Sequence, residues 1–312
     1  TISDDASLRK ELRTKMGEVG DIFCKLLENE NSKVYDMYKD YSEKVAKIPS
    51  HRILAINRGE KEECLKVSIL VNDEEFTDII KKQYVKNASD SALVVINASV
   101  DAYDRLIFPS LEREIRSDLT EKANEQAIKM FEVNLRPLLL QPPLKDKVIL
   151  GLDPAYRTGC KIAVIDGVGN VLDTAVIFPT PPQNKIEEAK VKILELVDKY
   201  NVDVISIGNG TASKEAEIFV ANLIKESGKP LQYIVVNEAG ASVYSASKLG
   251  AEEFPDYEPA QRSAVSMARR LQDPLAELIK IDVKSIGVGQ YQHDMPEARL
   301  TEVLGGVVED CV

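Results

Sequence analysis

Residues 148–166 read VILGLDPAYRTGCKIAVID and contain two apolar runs separated by a turn. The first run ends at Asp153, the turn carries a Gly, and the second run begins at Lys161. This pattern predicts a β-hairpin whose first strand is buried and has Asp153 at its exit. A rigid buried strand can hold a carboxylate within coordinating distance of a divalent ion, as folds that hydrolyse phosphodiesters require. Asp153 is therefore the first candidate functional residue.

The sequence after the hairpin predicts a third strand and then alternating helices and strands. We expect a strand at 171–178, helices at 186–200 and between Ser213 and Gly228, and strands at 203–210 and 231–236. Three meandering strands followed by this alternation are typical of a mixed sheet, antiparallel at one edge and parallel elsewhere. The order matches a ribonuclease-H-like fold.

The sequence before the hairpin is mostly helical in pattern. Apolar residues spaced three and four apart predict an amphipathic helix over 8–26. The remaining predictions are a helix rich in core tyrosines (Tyr35, Tyr38, Tyr41), a helix from Ser50 to Gly59, a strand at 65–71, and helix from Asp73 to about Leu140 with breaks at Pro109 and Pro137. Gln141, Pro142 and Pro143 form a stiff linker, so a domain boundary is expected near residues 141–147.

Composition and charge exclude several classes of protein. No apolar run approaches the roughly 20 residues that span a bilayer, so no membrane-protein function is expected. A net charge of −11 argues against nonspecific nucleic-acid binding by the whole chain, because that mode needs many cations to replace phosphate counterions. Any nucleic-acid binding is therefore expected to be local.

Cysteine and histidine usage predicts neither a disulfide framework nor a thiolate zinc site. Cys24, Cys64, Cys160 and Cys311 show no C-x-x-C spacing, which fits a reducing cytoplasm. His51 and His293 are too few and too far apart to indicate a metal site or a catalytic triad. Because the chain begins at Thr1 without a signal peptide and stops within a helical pattern, we expect an internal portion of a longer protein.

Polar residues follow the predicted strands at one edge of the sheet. Asp153, the turn Asn209-Gly210-Thr211 and the pair Asn237-Glu238 are expected on the same side. Arg157 and Lys161 flank the hairpin turn. Together with the backbone N–H groups of residues 209–211 they could hold a phosphate, or they could be solvated cations of an ordinary turn.

Three arginines near the C-terminal end of the chain are further candidates for contact with nucleic acid. Arg262, Arg269 and Arg270 are expected on the helix face opposite the apolar stripe. They could touch a nucleic-acid backbone, or they could pair with neighbouring glutamates. Those glutamates are Glu252, Glu253 and Glu277.

Five motifs together resemble the Tex family of bacterial transcription accessory proteins. They are IPSHRILAINRGEKE, DPAYRTGCKIAVID, NGTASKEAE, VNEAGASVYSAS and RRLQDPLAELIKIDVKSIGVGQYQHD. The resemblance covers the whole chain. It implies a helical Tex core (1–146), a YqgF/RuvC-like ribonuclease-H-fold domain (147–258), and a helical linker with the start of a helix-hairpin-helix region (259–312). The expected fold class is thus mixed α and α/β.

The resemblance also implies where a resolvase-type site would lie. Asp153 matches the first acid of the RuvC pattern and Glu238 the second, so both are candidate catalytic residues and candidate ligands for Mg²⁺ or Mn²⁺. The remaining acids of active resolvases come from the start of a helix that corresponds here to PAQRSAVSMARR, where residues 260–263 are Ala, Gln, Arg and Ser. An arginine adds positive charge where the two-metal reaction needs negative charge.

The sequence therefore favours a noncatalytic scaffold with a degenerate resolvase-like site, requiring no cofactor. One alternative is a metal-dependent nuclease using Asp153 and Glu238, and another is a protein-interaction platform for the transcription machinery. The resemblance implies RNA or DNA as partners, bound mainly through an OB-type RNA-binding domain outside this sequence, and RNA polymerase as a further partner. Binding by residues 1–312 alone is expected to be weak.

Overall fold

The structure, a computed structural model, describes residues 1–86 and 90–312 of the chain. The described residues divide into two compact units: Thr1–Met130 with Tyr291–Glu297, and Phe131–Gln290 with Ala298–Val312. The domain boundaries drawn from the sequence stay predictions. No helix in the described ranges is long and apolar enough to cross a membrane.

The first unit combines helices with a small antiparallel sheet, whose strand order is β2-β1-β3. Its core includes Leu8 and Leu12 from the first helix and Ile22 from the central strand. The elements are α1 (Ala6–Val19), β1 (Asp21–Leu26), β2 (Tyr41–Lys44), α2 (Ser50–Lys61), β3 (Leu65–Leu70), α3 (Asp73–Tyr84), α4 (Asp90–Ala102) and α5 (Phe108–Leu139).

The predicted helix over residues 8–26 is wrong in its second half. Helix α1 ends before Gly20, whose extended backbone turns the chain into β1. Phe23 and Leu26 continue the helical spacing by coincidence. Burial in β1 alternates because successive side chains of a strand point to opposite faces of the sheet. The predicted tyrosine-rich helix is likewise a short 3-10 helix at Ser32–Tyr38 followed by β2.

Core placement of the tyrosines is confirmed for Tyr35 and Tyr38, which are buried, whereas Tyr41 is half-buried. The predicted breaks at Pro109 and Pro137 are wrong, because both prolines lie inside α5. Pro109 cannot donate to the helical turn before it, and that turn is wound differently from the rest of the helix. The irregularity falls earlier, in a π-helical turn at Tyr103–Ile107.

The second unit is built on a five-stranded mixed sheet, order β6-β5-β4-β7-β8. Strands β4, β5 and β6 pair antiparallel, and β4, β7 and β8 pair parallel, which confirms the predicted arrangement. The strands are β4 (Ile149–Asp153), β5 (Cys160–Ile165), β6 (Val171–Ile177), β7 (Val204–Gly208) and β8 (Gln232–Val236). The helices are α6 (Ile186–Tyr200), α7 (Ser213–Ser227), α8 (Ala241–Ala246), α9 (Lys248–Glu253), α10 (Pro259–Gln272), α11 (Pro274–Leu278) and α12 (Glu297–Cys311).

The two faces of this sheet carry separate apolar clusters. Leu150 and Leu152 of β4 belong to a cluster that includes residues of α6 and α7. Ile149, on the other face, belongs to a cluster with Ala264 and Ala268 of α10. Because side chains alternate along a strand, Asp153 at the end of β4 lies on the α10 face.

Helix α10 packs very close to the centre of the sheet. A Cβ atom on Gly151 would lie 2.2 Å from the backbone oxygen of Ala264 and 3.0 Å from the Ala268 Cβ. The buried Ser206 hydroxyl of β7 donates to the Met267 backbone oxygen at 2.7 Å, which fixes the helix over β4 and β7. Gly151 is therefore required by close approach and not by an unusual backbone conformation.

This packing predicts a large effect of a small substitution. Gly151→Ala should lower the free energy of unfolding by about 1–3 kcal/mol, because the added methyl group collides with backbone that cannot rotate away. Gly305→Ala is the matched control: it lies in α12 with no atom within 4 Å of its Cβ position, so it should raise stability by about 0.5–1 kcal/mol. Urea denaturation followed by circular dichroism measures both. Equal stability of the Gly151→Ala and parent chains would contradict the packing.

Candidate functional site

The candidate site lies at the carboxyl ends of β4, β7 and β8. These strands run parallel, so their exits fall at one edge of the sheet. Asp153 ends β4, the turn at residues 209–211 follows β7, and Glu238 comes two residues after β8. The prediction that these three segments lie together is confirmed by the contact between Glu238 and the turn after β7.

Two glycines make room for the Glu238 carboxylate. A Cβ atom on Gly210 would lie 1.6 Å from Glu238 Oε1, and one on Gly208 would lie 2.6 Å from Oε2. The Asn209 side-chain oxygen accepts a hydrogen bond from the Glu238 backbone N–H at 3.0 Å. Glu238 Oε2 is buried without a hydrogen-bond partner among the described residues. The carboxylate is thus held against the exit of β7 by shape and by its backbone.

Asp153 is disfavoured in its charged form. Burial raises the pKa of its carboxyl above the ordinary value of 3.8, and the nearby Glu238 adds to the rise. The Ser263 hydroxyl and the charge of Lys161 favour the charged form and oppose the shift without cancelling it. The two carboxylates therefore affect each other electrostatically, as groups in a shared site do.

Lys161 is directly opposite Asp153 in the register of β4 and β5. It is buried, and its Nζ donates to the backbone oxygens of Thr158 at 2.5 Å and Gly159 at 2.8 Å. Lys161 therefore stabilises the hairpin turn through hydrogen bonds to its carbonyl groups. The alternative that treated it as a solvated cation is wrong, because the turn carbonyls replace water around the ammonium group.

The start of α10 supplies neutral and basic side chains to this region. Ser263 is buried, and its hydroxyl lies close enough to Asp153 to lower the pKa of that carboxyl. Gln261 completes a capping box by accepting from the Glu258 N–H, and its amide donates to the Thr174 hydroxyl. Ala260 has no polar side chain. No acid from the start of α10 thus joins Asp153 and Glu238.

Asp153 and Glu238 are the residues that could hold a divalent ion here. Nowhere in the described part of the chain do three or more His, Cys, Asp or Glu side chains form a group suited to a metal. Two-ion phosphodiester chemistry places several carboxylates around ions about 4 Å apart. With Ser263 and Lys161 beside Asp153 in the places of further ligands, the residues present do not fit a two-ion centre.

The remaining phosphate candidates occupy the rim of the site. Arg157, Asn209 and Thr211 are exposed, and Gly210 is partly so. Tyr156 donates to Glu215 at 3.0 Å, which ties the hairpin turn to the first turn of α7. Arg157 thus lies on a turn that the hydrogen bonds of Tyr156 and Lys161 hold in place. Of the two predicted cations at this turn, Arg157 is the exposed one and Lys161 the buried one.

The expectation that α10 presents three arginines on an exposed face is wrong for two of them. Arg262 is 9% exposed and donates to the backbone oxygens of Phe254 and Ser245. Arg270 is 6% exposed and donates to the backbone oxygens of Asn237 and Ala239. Both guanidinium groups are hydrogen-bonded to backbone carbonyls of loops, which explains how these charged side chains can be buried.

Arg269 is half-buried and follows the predicted ion-pair alternative. It bonds to the Gly169 backbone oxygen at 3.0 Å and to a Glu253 carboxylate oxygen at 3.1 Å, and its guanidinium lies over the Phe254 ring. The other predicted glutamate partners pair with lysines: Glu252 with Lys248, and Glu277 with Lys280.

Sequence reasoning named Lys161, Ser263 and Arg270 but missed the roles that these three residues have in the site. Ser263 and Lys161 surround Asp153, and Arg270 holds the loop that carries Glu238. The strand register could have placed Lys161 beside Asp153, since both lie at paired ends of a short hairpin. The Gly208-Asn209-Gly210 spacing could have indicated that a side chain packs there, because glycines commonly mark close approach.

Comparison with known proteins gives matches along most of the chain. The family model described as Tex protein YqgF-like domain matches residues 147–272, and the one described as Tex central region-like matches residues 1–131. Uncharacterized protein YdcI of Bacillus subtilis is 51% identical over 100% of the chain and 44% of its own length.

Two further relatives carry more descriptive names. Transcriptional accessory protein Tex of Neisseria gonorrhoeae is 41% identical over 99% of the chain and 42% of its own length. S1 RNA-binding domain-containing protein 1 of Homo sapiens is 42% identical over 88% of the chain and 28% of its own length. The chain thus spans less than half the length of these relatives.

The raised pKa of Asp153 predicts a pH-dependent effect of Asp153→Asn. A raised folded-state pKa means that the charged carboxylate costs stability above that pKa, and that the cost disappears as the group protonates. Asp153→Asn should therefore raise the midpoint of urea unfolding at neutral pH, and its advantage should shrink as the pH falls toward 3.8.

Asp173→Asn is the control, for which the opposite change in stability is expected. Hydrogen bonds from Tyr200 and Lys199 outweigh burial and lower the pKa of Asp173, so this substitution should destabilise at neutral pH and matter less in acid. Urea midpoints measured from pH 7 to pH 4 test both. A stability loss on Asp153→Asn at neutral pH would contradict the electrostatics described here.

Proposed function

The chain belongs to the Tex family, and from this premise we propose that it is a noncatalytic scaffold in a nucleic-acid-binding transcription accessory protein. Its ribonuclease-H-like unit contributes shape and contacts, and the pair Asp153 and Glu238 is the remnant of a resolvase-type site. We place its action in the cytoplasm, with RNA or DNA and RNA polymerase as partners.

The observation that carries this proposal is the residue at position 263, an uncharged, buried serine close to Asp153. Ser263 lies near the start of α10, where a nuclease of this fold would bring a further carboxylate toward the first. A serine hydroxyl neutralises no metal charge, and the buried Lys161 opposite Asp153 supplies positive charge. The site therefore lacks the negative charge that would hold two divalent ions in geometry.

Nucleic-acid association is supported by the name of a human relative and by the small share of that relative's length that the chain covers. A human relative is named for an S1 RNA-binding domain, and this chain covers 28% of that protein. We propose that the main RNA contacts belong to the rest of such a protein, and that this chain contributes a local contact at the rim of the site. The net charge of −11 makes that contact weak on its own.

One observation favours metal-dependent nuclease activity as the second candidate function. Asp153 and Glu238 are buried enough to raise the pKa of Asp153, and Glu238 Oε2 has no partner in the described structure. A bound cation would relieve both features. Protonation of Asp153, which its raised pKa favours, would relieve the cost of its burial without a metal and fits the scaffold.

A cleavage assay separates the two functions. Incubated with branched DNA and with structured RNA in Mg²⁺ or Mn²⁺, the chain should release no products above the level of the buffer. Asp153→Asn should give the same result. Metal-dependent cleavage that disappears in Asp153→Asn would overturn the scaffold proposal, and cleavage that persists in that variant would identify a contaminating nuclease.

Substitution of Arg157 tests the local nucleic-acid contact. The parent chain should bind single-stranded RNA with a Kd of about 10–100 µM near physiological salt. Arg157→Ala should weaken binding several-fold and reduce the slope of log K against log salt by about 1, because one phosphate contact is lost.

Lys225→Ala is the matched control, since Lys225 is an exposed cation in the last turn of α7, away from the end that faces the site. Its affinity for RNA should equal that of the parent. Fluorescence anisotropy at several salt concentrations measures all three proteins. Equal losses in both variants would show that binding follows net charge and not the hairpin turn.

A further inference from the structure

A groove of about 330 Å³ runs along the free edge of the five-stranded sheet. One wall is β8, and the other is formed by the ends of α5 and α10, by α11 and by the segment that follows α5. Most of the lining is apolar, with Leu138, Pro142, Val235, Leu271, Pro274 and Leu278 among its residues. Ile234 and Val235 are 45% and 41% exposed, so β8 offers apolar surface that this unit does not cover.

Strand β8 also offers hydrogen-bonding groups along this edge. It pairs with β7 and with no other strand in the described sheet. The Gln232 N–H donates to the Asp203 backbone oxygen, so residues 232, 234 and 236 direct their backbone groups toward β7. Tyr233 and Val235 consequently direct an N–H and a C=O outward. An incoming strand would find alternating donors and acceptors there.

Arg270 stands at the end of this edge with part of its guanidinium unpaired. Its Nη1 donates to the Asn237 and Ala239 backbone oxygens at 2.6 and 2.8 Å. Its Nε and Nη2 are buried and have no hydrogen-bond partner in the described ranges, although Arg270 lines the groove. Burial lowers its pKa to about 10 despite the attraction of Glu277 and Glu238. A planar pair of unpaired donors matches the geometry of a carboxylate.

We propose that this groove binds an extended peptide segment that adds a strand beside β8 and places a carboxylate on Arg270. The outward groups of Tyr233 and Val235 would pair with the peptide backbone, apolar peptide side chains would cover the groove walls, and an Asp or Glu side chain would accept from Nε and Nη2. A nucleic-acid strand fits less well, because its phosphates supply acceptors alone and the walls are apolar.

Two pools of synthetic peptides test the proposal on the whole chain. Each pool contains acetylated and amidated seven-residue peptides with Val, Ile or Thr at six positions, and the central residue is Glu in one pool and Gln in the other. The Glu pool should shift the backbone amide resonances of Tyr233 and Val235 in ¹⁵N NMR spectra and bind about tenfold more tightly than the Gln pool, as expected when a charged acceptor replaces a neutral one on the same donors.

Two substitutions separate the backbone contact from the charged contact. Val235→Pro removes an N–H that points away from β7, which an edge strand tolerates, and should abolish binding of both pools. Val235→Thr keeps the N–H and should bind like the parent. Arg270→Lys should reduce the preference for Glu over Gln while leaving the Gln pool nearly unchanged.

Several outcomes would overturn the inference. They are equal affinity for the two pools, undiminished binding by Val235→Pro, and absence of shifts at millimolar peptide. Shifts at Tyr233 and Val235 that are produced by a single-stranded RNA oligonucleotide and not by either pool would also overturn it, because they would assign the groove to nucleic acid. The comparison of pools on the parent chain decides the matter even where a variant fails to fold.

Discussion

The close packing of α10 against β4 and β7 sets the positions of most polar groups in the second unit. Gly151 lets the helix backbone approach the strand, and Ser206 fixes the depth of that approach through its bond to the Met267 oxygen. With the helix so placed, Ser263 reaches Asp153 at one end and Arg270 reaches the Asn237 and Ala239 carbonyls further along. The chemistry of the site thus follows from a helix–sheet distance.

The same packing limits which side chain can stand at position 263. An acid at the position of Ser263 would face Asp153 across a buried space, where like charges raise each other's pKa unless a cation separates them. A serine carries no charge and removes that conflict. Lys161, bonded to the turn carbonyls, adds a compensating charge beside Asp153.

Sequence patterns predicted the α/β unit well and the first unit less well. Helix 186–200 and the hairpin strands were predictable because periods of 3.6 and 2 are unambiguous there, and Gly228 marks a helix end. Strand β1 was not predictable, because Phe23 and Leu26 continue the helical spacing of the apolar residues of α1 past Gly20. In the site, Asp153 and Glu238 could be found at strand exits. The burial of Arg262 and Arg270 could not be predicted, because both bond to loop carbonyls whose positions depend on the complete fold.

One side chain belongs to two regions at once. Arg270 holds the segment that carries Glu238 through Nη1, and it is one of the residues that line the groove beside β8. A guanidinium is rigid and planar, so it cannot turn toward the groove without changing its bonds to that segment. A ligand that reoriented Arg270 from the groove would therefore also disturb the segment that carries Glu238.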